Sequence, residues 1–256
     1  MTILCYHAVD PDWRSPLAVH PDEFDAQLTW LAQRRKVLPV EQAATMLDRQ
    51  WRLPRGTAAI TFDDGFKSVL HHALPALRRH RLPAMVFVVA ETLTPAGRAV
   101  DWVDTPPPET LQTLTVDDLK ELEEGGVTVG SHSYSHKVLT ELSEQEVAHD
   151  LSQSRELLED LLGHEVPYLA YPRGFHDEGV RRAAAKAGFR NSFTLPEEPE
   201  PIGPQAVPRV GIYPGNGTRS LVLKTNRRYL AFRSGRAYPW VRMALRGSRP
   251  PSRRAG

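Results

Sequence analysis

Short apolar segments rich in β-forming residues alternate with longer stretches of helical periodicity along most of the chain. The predicted strands are Ile3–Val9, Val37–Val40, Ala58–Phe62, Ala84–Ala90, Val127–Ser131, Tyr168–Tyr171 and Asn191–Leu195. The predicted helices are Pro21–Arg34, Val40–Arg49, Ser68–His80, Val116–Glu123, Glu144–Leu162 and Asp177–Ala187. Such alternation is typical of βα units wound around a parallel sheet. It predicts a closed or nearly closed α/β barrel of about seven parallel strands, whose reactive groups gather where the strands end.

Two segments interrupt this alternation. Thr92–Thr113, which contains four prolines, is predicted to be an irregular insertion, and Pro196–Pro208 a proline-rich connection. A chain of 256 residues suffices for one such domain, because single barrels commonly occupy roughly 200–250 residues. The single cysteine, Cys5, excludes an intrachain disulfide scaffold and a structural zinc ribbon. Neither a secretion signal nor a long apolar segment is evident, so we expect a cytoplasmic protein.

Charge is distributed unevenly between the two ends of the chain. Residues 201–256 contain 12 of the 32 basic residues and none of the 31 acidic ones, although the net charge is only +1. We therefore divide the chain into a catalytic domain, residues 1–222, and a basic C-terminal tail, residues 223–256. Aromatic residues interleave with arginines in the tail, which favours peripheral contact with the anionic inner face of a membrane. The alternative is that the tail packs against the barrel. Nucleic acid is not expected as a partner, because no recognition motif appears.

Two adjacent carboxylates, Asp63 and Asp64, follow the predicted strand Ala58–Phe62 directly. Because Asp-Gly is a common turn pair, a solvated turn is one interpretation. The other is that a cation holds one carboxylate as a ligand while its neighbour remains free for proton transfer.

A pair of histidines, His132 and His136, follows the predicted strand Val127–Ser131. Their spacing of four residues is about one helical turn, so both rings can face one ion. Chance pairs with this spacing are frequent, but a pair that shares the strand-end edge with Asp63 and Asp64 favours a metal site. Two imidazoles and one carboxylate leave positions open for water and a substrate oxygen.

Three segments together are similar to the polysaccharide deacetylase family, the family-four carbohydrate esterases with a NodB-type homology domain. They are Thr61-Phe62-Asp63-Asp64-Gly65, His132-Ser133-Tyr134-Ser135-His136 and Ala170-Tyr171-Pro172-Arg173-Gly174. The resemblance spans roughly residues 1–212. It implies a deformed (β/α) barrel and one divalent metal ion, usually zinc, with cobalt, nickel or manganese as alternatives. It also implies removal of N-acetyl groups from amino sugars of a polysaccharide, an oligosaccharide or a lipid-linked glycan precursor.

The resemblance assigns roles to the matching residues. Asp64, His132 and His136 would be the metal ligands, and Asp63 the base that activates water. The segment Tyr171-Pro172-Arg173-Gly174 is similar to the groove-lining segment of the family, in which the residue before glycine supplies a backbone N–H to the developing oxyanion. A simple Pro-Gly turn that closes a strand is the alternative for this segment.

The sequence departs from the family pattern at two places. Ala170 stands where the commoner motif has an arginine that orients the base, and Arg209 is the best substitute. No histidine follows His176, although the family often carries a general-acid histidine near its C-terminus. The segment Cys5-Tyr6-His7 resembles a permuted branch of the family in which an N-terminal Tyr-His pair brings the acid. If the first and last strands are neighbours, His7 would lie over the same metal; otherwise it is a hydrogen-bonding strand-end histidine.

Other classes of protein compete with this interpretation. A catalytically impaired carbohydrate-binding protein that retains the metal site is the main alternative, because of the departure at Ala170 and the missing C-terminal histidine. An iron oxygenase also uses two histidines and a carboxylate, but it expects a His-x-Asp pair on a jelly roll. A phosphatase with an aspartyl nucleophile would require Asp-x-Asp, which Asp63-Asp64-Gly65 does not supply.

Overall fold

The computed structural model describes residues 2–50, 55–108, 111–196 and 198–233, together with residues 235, 237, 238 and 241; of residues 47–50 and 227 only the backbone is described. Residues 242–256 of the basic tail lie outside this part of the chain. None of the helices in the described part is both long enough and apolar enough to cross a bilayer.

Seven parallel strands close a barrel in the order β1-β10-β9-β8-β7-β6-β5, and β5 pairs back to β1. The strands are β1 (Thr2–Tyr6), β2 (Ala8–Val9), β3 (Ala18–Val19), β4 (Lys36–Val37), β5 (Thr57–Phe62), β6 (Ala84–Val88), β7 (Val127–Ser131), β8 (Tyr168–Ala170), β9 (Asn191–Thr194) and β10 (Val207–Gly211). The short strand β4 pairs with the start of β5, and β2 pairs with β3. The predicted barrel class is confirmed.

Helices follow most of the strands and cover the outside of the barrel. They are α1 (Pro21–Arg34), α2 (Val40–Gln50), α3 (Leu74–His80), α4 (Val116–Glu124), α5 (Glu144–Leu162), α6 (Glu178–Lys186), α7 (Thr218–Lys224) and α8 (Arg227–Arg233). The start of α5 is fixed by a capping box, in which Ser143 and Glu146 satisfy each other's backbone N–H groups. The predicted helix Ser68–His80 is instead a π-helical turn followed by α3, because Pro75 has no N–H to donate.

The side chains of each strand alternate between the barrel interior and the helices. Ile3, Ala59 and Phe87 belong to the interior cluster, whereas Leu4 and Ile60 pack outward against the helical layer. Strand residues 3 and 59 are paired in register, as are residues 4 and 60, so neighbouring strands turn the same residues inward. The interior is therefore filled by side chains, and the chemistry is confined to the end where the strands finish.

One predicted barrel strand is wrong and one was missed. Val37–Val40 contributes only the short β4, and Val40 already begins α2. The seventh barrel strand is β10, which contains Pro208 and Arg209 and lies partly in the predicted connection Pro196–Pro208. A proline lacks the N–H that a central strand donates, and a charged residue is normally found at the surface, so neither residue indicated a buried strand.

The first part of the basic tail packs against the barrel. Helix α7 spans the predicted domain boundary at residues 222 and 223. The ammonium group of Lys224 donates to the carbonyl of Gly211 at 2.7 Å, and Nε of the buried Arg233 donates to the carbonyl of Pro196 at 2.6 Å. Residues 223–233 therefore contribute to the folded domain rather than extending from it.

Candidate active site

The candidate base, Asp63, lies directly after β5 and is held by Arg209 from β10. Arg209 donates from Nη1 to Oδ1 at 2.6 Å and from Nη2 to Oδ2 at 2.8 Å. The same Nη1 is 3.1 Å from the hydroxyl of Thr61, and the thiol of Cys5 donates to Oδ2 at 3.2 Å. The Arg209 guanidinium is fully buried inside the barrel, 5.2 Å from the centre of the Phe87 ring. Arg209 thus occupies the position that a base-orienting arginine requires.

The charge state of Asp63 follows from these contacts. Burial alone would raise the pKa of Asp63, because it penalises the carboxylate. The Arg209 guanidinium, together with the rings of His132 and His7, outweighs that penalty and lowers the pKa to about 2. Asp63 is therefore ionised at neutral pH, and its Oδ1 keeps a lone pair beyond the one that faces Arg209, whereas Oδ2 also accepts the Cys5 thiol.

Three side chains from two strand ends converge beside this base. The Oδ1 atom of Asp64 is 3.2 Å from Nε2 of His136 and 3.5 Å from Nε2 of His132. All three residues are buried, and one ligand atom from each lies within 4.8 Å of the others. Ligand atoms about 2.0–2.1 Å from a tetrahedral zinc ion lie roughly 3.3 Å apart, so the spacing fits a divalent ion.

The protonation of these groups also suits a metal centre. Nδ1 of His132 lies 2.8 Å from the carbonyl of Ala170, so Nδ1 carries a proton that is bonded there, and Nε2 is the ring atom that faces Asp64. Burial lowers the pKa of His136, which favours the neutral ring that a ligand needs. Burial opposes the ionised form of Asp64, yet hydrogen bonds from the two imidazoles lower its pKa well below the usual value. Burial favours the neutral ring of His132, but the carboxylates of Asp63 and Asp64 raise its pKa, so an ion that binds here must displace a proton from that ring.

The backbone of the site is strained. Among the described residues, five that are not glycine have φ in the left-handed region, and four of them belong to the three motif segments. They are Asp64 at 69°, Ser133 at 68°, His136 at 53° and Arg173 at 58°. Such conformations cost on the order of 1–3 kcal/mol each and persist where the surroundings fix them. This concentration of strain supports a functional site rather than a solvated turn.

Asp150 on α5 fixes the histidine loop and was missed in the sequence. Its buried carboxylate accepts the backbone N–H of Tyr134 at 2.9 Å and that of Ser135 at 3.1 Å, and it also accepts the Ser135 hydroxyl at 2.5 Å. A signal was available, since Asp150 lies on the helix face that also carries Val147 and Leu151. An acidic residue on an otherwise apolar face requires a buried partner.

Replacing Asp150 by alanine is expected to weaken divalent-ion binding by roughly 10–100-fold, because groups that position metal ligands commonly contribute that much. The two N–H groups and the hydroxyl that it accepts would lose their partner, and the loop carrying His136 would relax. Competition with a chromogenic chelator measures the affinity. Asp160→Ala, at an exposed position of the same helix, is the matched control. Equal affinities for both variants would contradict this role of Asp150.

The predicted groove segment forms a tight turn at the end of β8. Arg173 has φ 58° and ψ 4°, and its guanidinium donates to the carbonyl of Trp102 at 3.0 Å. Gly174 has φ 77°, and a Cβ there would lie 2.6 Å from the backbone nitrogen of Leu195, so no other residue fits. The segment is therefore a Pro-Gly turn, as the alternative proposed. A turn at this place can still supply the backbone N–H of Arg173 to an oxyanion, because it faces the insertion that carries Trp102.

The side chain of Tyr171 does not line the groove, which corrects the prediction for this residue. Tyr171 is fully buried, its ring stacks on His176, and its hydroxyl donates to the carbonyl of Gln205 at 3.0 Å. It packs with Leu169 and other residues of the α5 and α6 layer. Strand alternation explains the difference, since the same parity that turns Leu169 outward also turns Tyr171 outward. Pro172 is likewise buried.

His7 follows β1, which lies on the opposite side of β5 from β7, the strand that precedes His132 and His136. Strand β1 pairs with both β5 and β10, so the condition that the first and last strands are neighbours is met. One ligand atom each from Cys5, His7 and Asp63 lies within 4.8 Å of the others. Nδ1 of His7 is buried and has no hydrogen-bond partner in the described part of the chain. The structure thus brings His7 to the site, and its role as general acid stays a prediction.

A buried carboxylate paired with arginine lies beside an Asp-His-His cluster that could hold a metal ion, at the strand ends of a parallel barrel. The family model of polysaccharide deacetylases matches residues 52–192, which is more than half of the chain. The chain belongs to the polysaccharide deacetylase family, and the predicted enzyme class is confirmed.

Relatives and solved structures agree with this assignment. The chain is 26% identical to YxkH of Bacillus subtilis over 220 residues, covering 84% of this chain and 72% of that protein. It is 22% identical to a poly-beta-1,6-N-acetyl-D-glucosamine N-deacetylase of Staphylococcus aureus, covering 71% of this chain and 62% of that protein. The structure of IcaB from Ammonifex degensii is 27% identical, with a TM-score of 0.72 over 88% of this chain and 97% of that one. The fold also matches the deacetylase PplD of Streptococcus pyogenes, with 23% identity and a TM-score of 0.74 over 88% and 98% of the two chains.

Proposed function

We propose that the protein removes acetyl groups from the N-acetylglucosamine residues of a glycan of the poly-β-1,6 type, with a divalent ion held by Asp64, His132 and His136. The observation that carries the proposal is the Asp63–Arg209 pair beside the three converging ligands. The choice of sugar is supported by the Staphylococcus aureus relative, whose name specifies that substrate. Zinc suits two imidazoles and one carboxylate, with cobalt, nickel or manganese as alternatives.

When bound, the ion would lower the pKa of a water molecule and polarise the acetamide carbonyl. Asp63 accepts a proton from the attacking water, and Arg209 holds its carboxylate in position. The backbone N–H of Arg173 donates to the oxygen that gains negative charge. As the C–N bond breaks, His7 donates a proton to the nitrogen that leaves. The products are acetate and a free amino sugar.

A carbohydrate-binding protein without turnover is a weaker candidate. It would need a sugar site but no ionised base held by a buried arginine, and a buried ion pair is costly to maintain without a use. Arg209 supplies the orienting cation whose absence at the Ala170 position had suggested impairment.

Acetate release separates the two candidates. Purified protein is incubated with β-1,6-linked and with β-1,4-linked N-acetylglucosamine oligomers, and acetate and free amines are measured. The proposal expects acetate from the β-1,6-linked oligomer and little from the β-1,4-linked one. Oligomer binding without acetate release would favour the binding protein, and release only from the β-1,4-linked oligomer would overturn the choice of substrate.

We also propose that α7, α8 and the basic tail contact an anionic membrane surface, such as the inner face of a cell membrane. Among the described residues of these helices, three large apolar side chains are exposed, Val222 at 51%, Leu223 at 59% and Phe232 at 42%. The exposed residues Arg219 and Arg228 lie in the same two helices. Apolar groups flanked by arginines match the headgroup region of an anionic bilayer.

Removing residues 242–256 is expected to weaken binding to vesicles of phosphatidylcholine and phosphatidylglycerol by at least about tenfold, because each basic residue near such a surface contributes about 1 kcal/mol. This deletion leaves α7 and the Arg233 contact intact, unlike one that starts at Leu223. Co-sedimentation measures binding, and pure phosphatidylcholine vesicles are the control. Equal binding by the full chain, the deletion and a Leu223→Ser/Phe232→Ser variant would remove the membrane proposal.

A further inference from the structure

Trp102 stacks directly on the candidate ligand His136. The two ring centres are 4.8 Å apart and the ring planes differ by 25°. Trp102 lies in the insertion, Thr92–Thr113, which leaves the barrel after β6 and returns before α4. The insertion was predicted from its prolines to be irregular. Its position places an aromatic side chain against a candidate metal ligand.

The two histidine ligands are held in different ways. His132 has its Nδ1 proton bonded to the carbonyl of Ala170, which fixes the angle of the ring. His136 has no such bond: its Nδ1 is buried and lacks a partner in the part of the chain that the structure describes. A ligand ring that can rotate costs metal affinity, so second contacts normally orient it. The stacked indole is the contact that fills this need at His136.

The segment that carries the indole is bonded to the site from two sides. Arg98 donates to Glu91 at 2.8 Å, to Asp101 at 3.0 Å and to the carbonyl of Ser135, and thereby ties the insertion to the loop before His136. The Arg98 guanidinium lies 5.6 Å from the centre of the Trp102 ring. From the opposite turn, Arg173 donates to the backbone carbonyl of Trp102. Trp102 therefore lies between the loop that carries His136 and the turn that carries Arg173.

The indole also carries an unused donor. Nε1 of Trp102 is buried, and no acceptor for it occurs within the described residues. Trp13, by comparison, uses its Nε1 to donate to the carbonyl of Pro106 at 3.2 Å. A buried donor without a partner costs free energy that a ligand oxygen can recover. A sugar placed at the ion would present hydroxyl and acetyl oxygens, and aromatic rings with a polar edge suit such amphipathic ligands.

We propose that Trp102 is a positioning residue that orients the ring of His136 by stacking, and that its Nε1–H donates to an oxygen of the amino sugar bound at the site. This inference rests on the proposed function. The insertion thereby couples metal binding to recognition of the sugar, since one side chain serves both.

Two substitutions separate the two roles. Trp102→Phe keeps an aromatic face but removes the N–H group. Trp102→Leu removes both the aromatic face and the N–H group, and it loses less side-chain volume than an alanine substitution would. Trp30→Phe, on α1, is the remote control. Affinity for Zn²⁺ is measured by competition with a chromogenic chelator, the geometry of the site by the absorption spectrum of the Co²⁺ form, and kcat and KM by acetate release.

For Trp102→Phe we expect Zn²⁺ affinity within about twofold of the wild type and an unchanged Co²⁺ spectrum, with KM raised about three- to tenfold, the usual effect of one lost hydrogen bond. For Trp102→Leu we expect Zn²⁺ affinity at least about tenfold weaker and a shifted Co²⁺ spectrum. Wild-type affinity and spectrum in Trp102→Leu would overturn the positioning role. A wild-type KM in Trp102→Phe would overturn the donor role. A wild-type protein that binds no divalent ion would instead refute the proposed function, so the two failures are distinguishable.

Discussion

Asp63→Asn is expected to lower kcat for acetate release by roughly 10²–10⁴-fold, the usual contribution of a general base. The amide is close to the carboxylate in shape but cannot accept the proton of the attacking water. Divalent-ion affinity is expected to stay within a few-fold of the wild type, because Asp63 is bonded to Arg209 and does not belong to the Asp64, His132 and His136 cluster. Acetate release and chelator competition on the same preparation measure both quantities.

Asp64→Asn is the informative control for this result, because it changes the neighbouring carboxylate in the same way. We expect it to lose divalent-ion binding as well as activity, since Asp64 lies within 3.5 Å of both imidazoles. An Asp63→Asn enzyme with wild-type kcat would show that another group is the base. If Asp63→Asn lost as much divalent-ion affinity as Asp64→Asn, the assignment of Asp63 as base and Asp64 as metal ligand would be wrong.

Arg209→Met is expected to reduce the free energy of unfolding by about 3–5 kcal/mol, because it leaves the carboxylate of Asp63 buried and without its cation. Methionine is flexible and apolar, so it can fill the space between Phe87 and Phe193 that the guanidinium occupies. The double variant Arg209→Met/Asp63→Asn is expected to recover a large part of this loss, since it removes both charges. Urea denaturation of the four proteins completes the double-mutant cycle.

The coupling energy between Arg209 and Asp63 shows whether Arg209 stabilises the protein through its ion pair with Asp63 or through packing in the barrel. If Arg209 acts through its charge on Asp63, the double variant loses less free energy of unfolding than the two single variants lose together. Strictly additive losses would mean that Arg209 stabilises the barrel by filling volume, and the interpretation of Arg209 as the residue that orients the base would then be wrong.

The residues that carry chemistry were predictable where local sequence fixes geometry. Asp63 and Asp64 follow a six-residue buried strand, and parallel strands finish at one edge of the sheet, so the edge that His132 and His136 share with them could be deduced. That the first and last strands are neighbours was only a condition for the placement of His7, and the last strand, β10, was itself not predicted. The deduction of the shared edge required no knowledge of side-chain packing.

The features that were missed depend on long-range packing. β10 did not look like a barrel strand, because its Arg209 is neutralised by Asp63, a residue 146 positions away in the sequence. The Tyr171 side chain points outward into the helical layer because of the register of β8 in the closed barrel, and the segment Tyr171-Pro172-Arg173-Gly174 does not show this. Asp150 and Trp102 act on the histidine loop from a helix and an insertion, and no periodicity in the sequence shows where either one folds back.

The central claim is tested most directly by titrating chelator-stripped protein with Zn²⁺ while acetate release is followed, in the wild type and in His136→Ala. We expect one ion per chain in the wild type, activity that returns in proportion to the bound ion, and affinity weakened by at least about tenfold in His136→Ala. Full activity in stripped wild-type protein, or an ion bound equally well without His136, would contradict the claim that Asp64, His132 and His136 form the metal centre of a deacetylase.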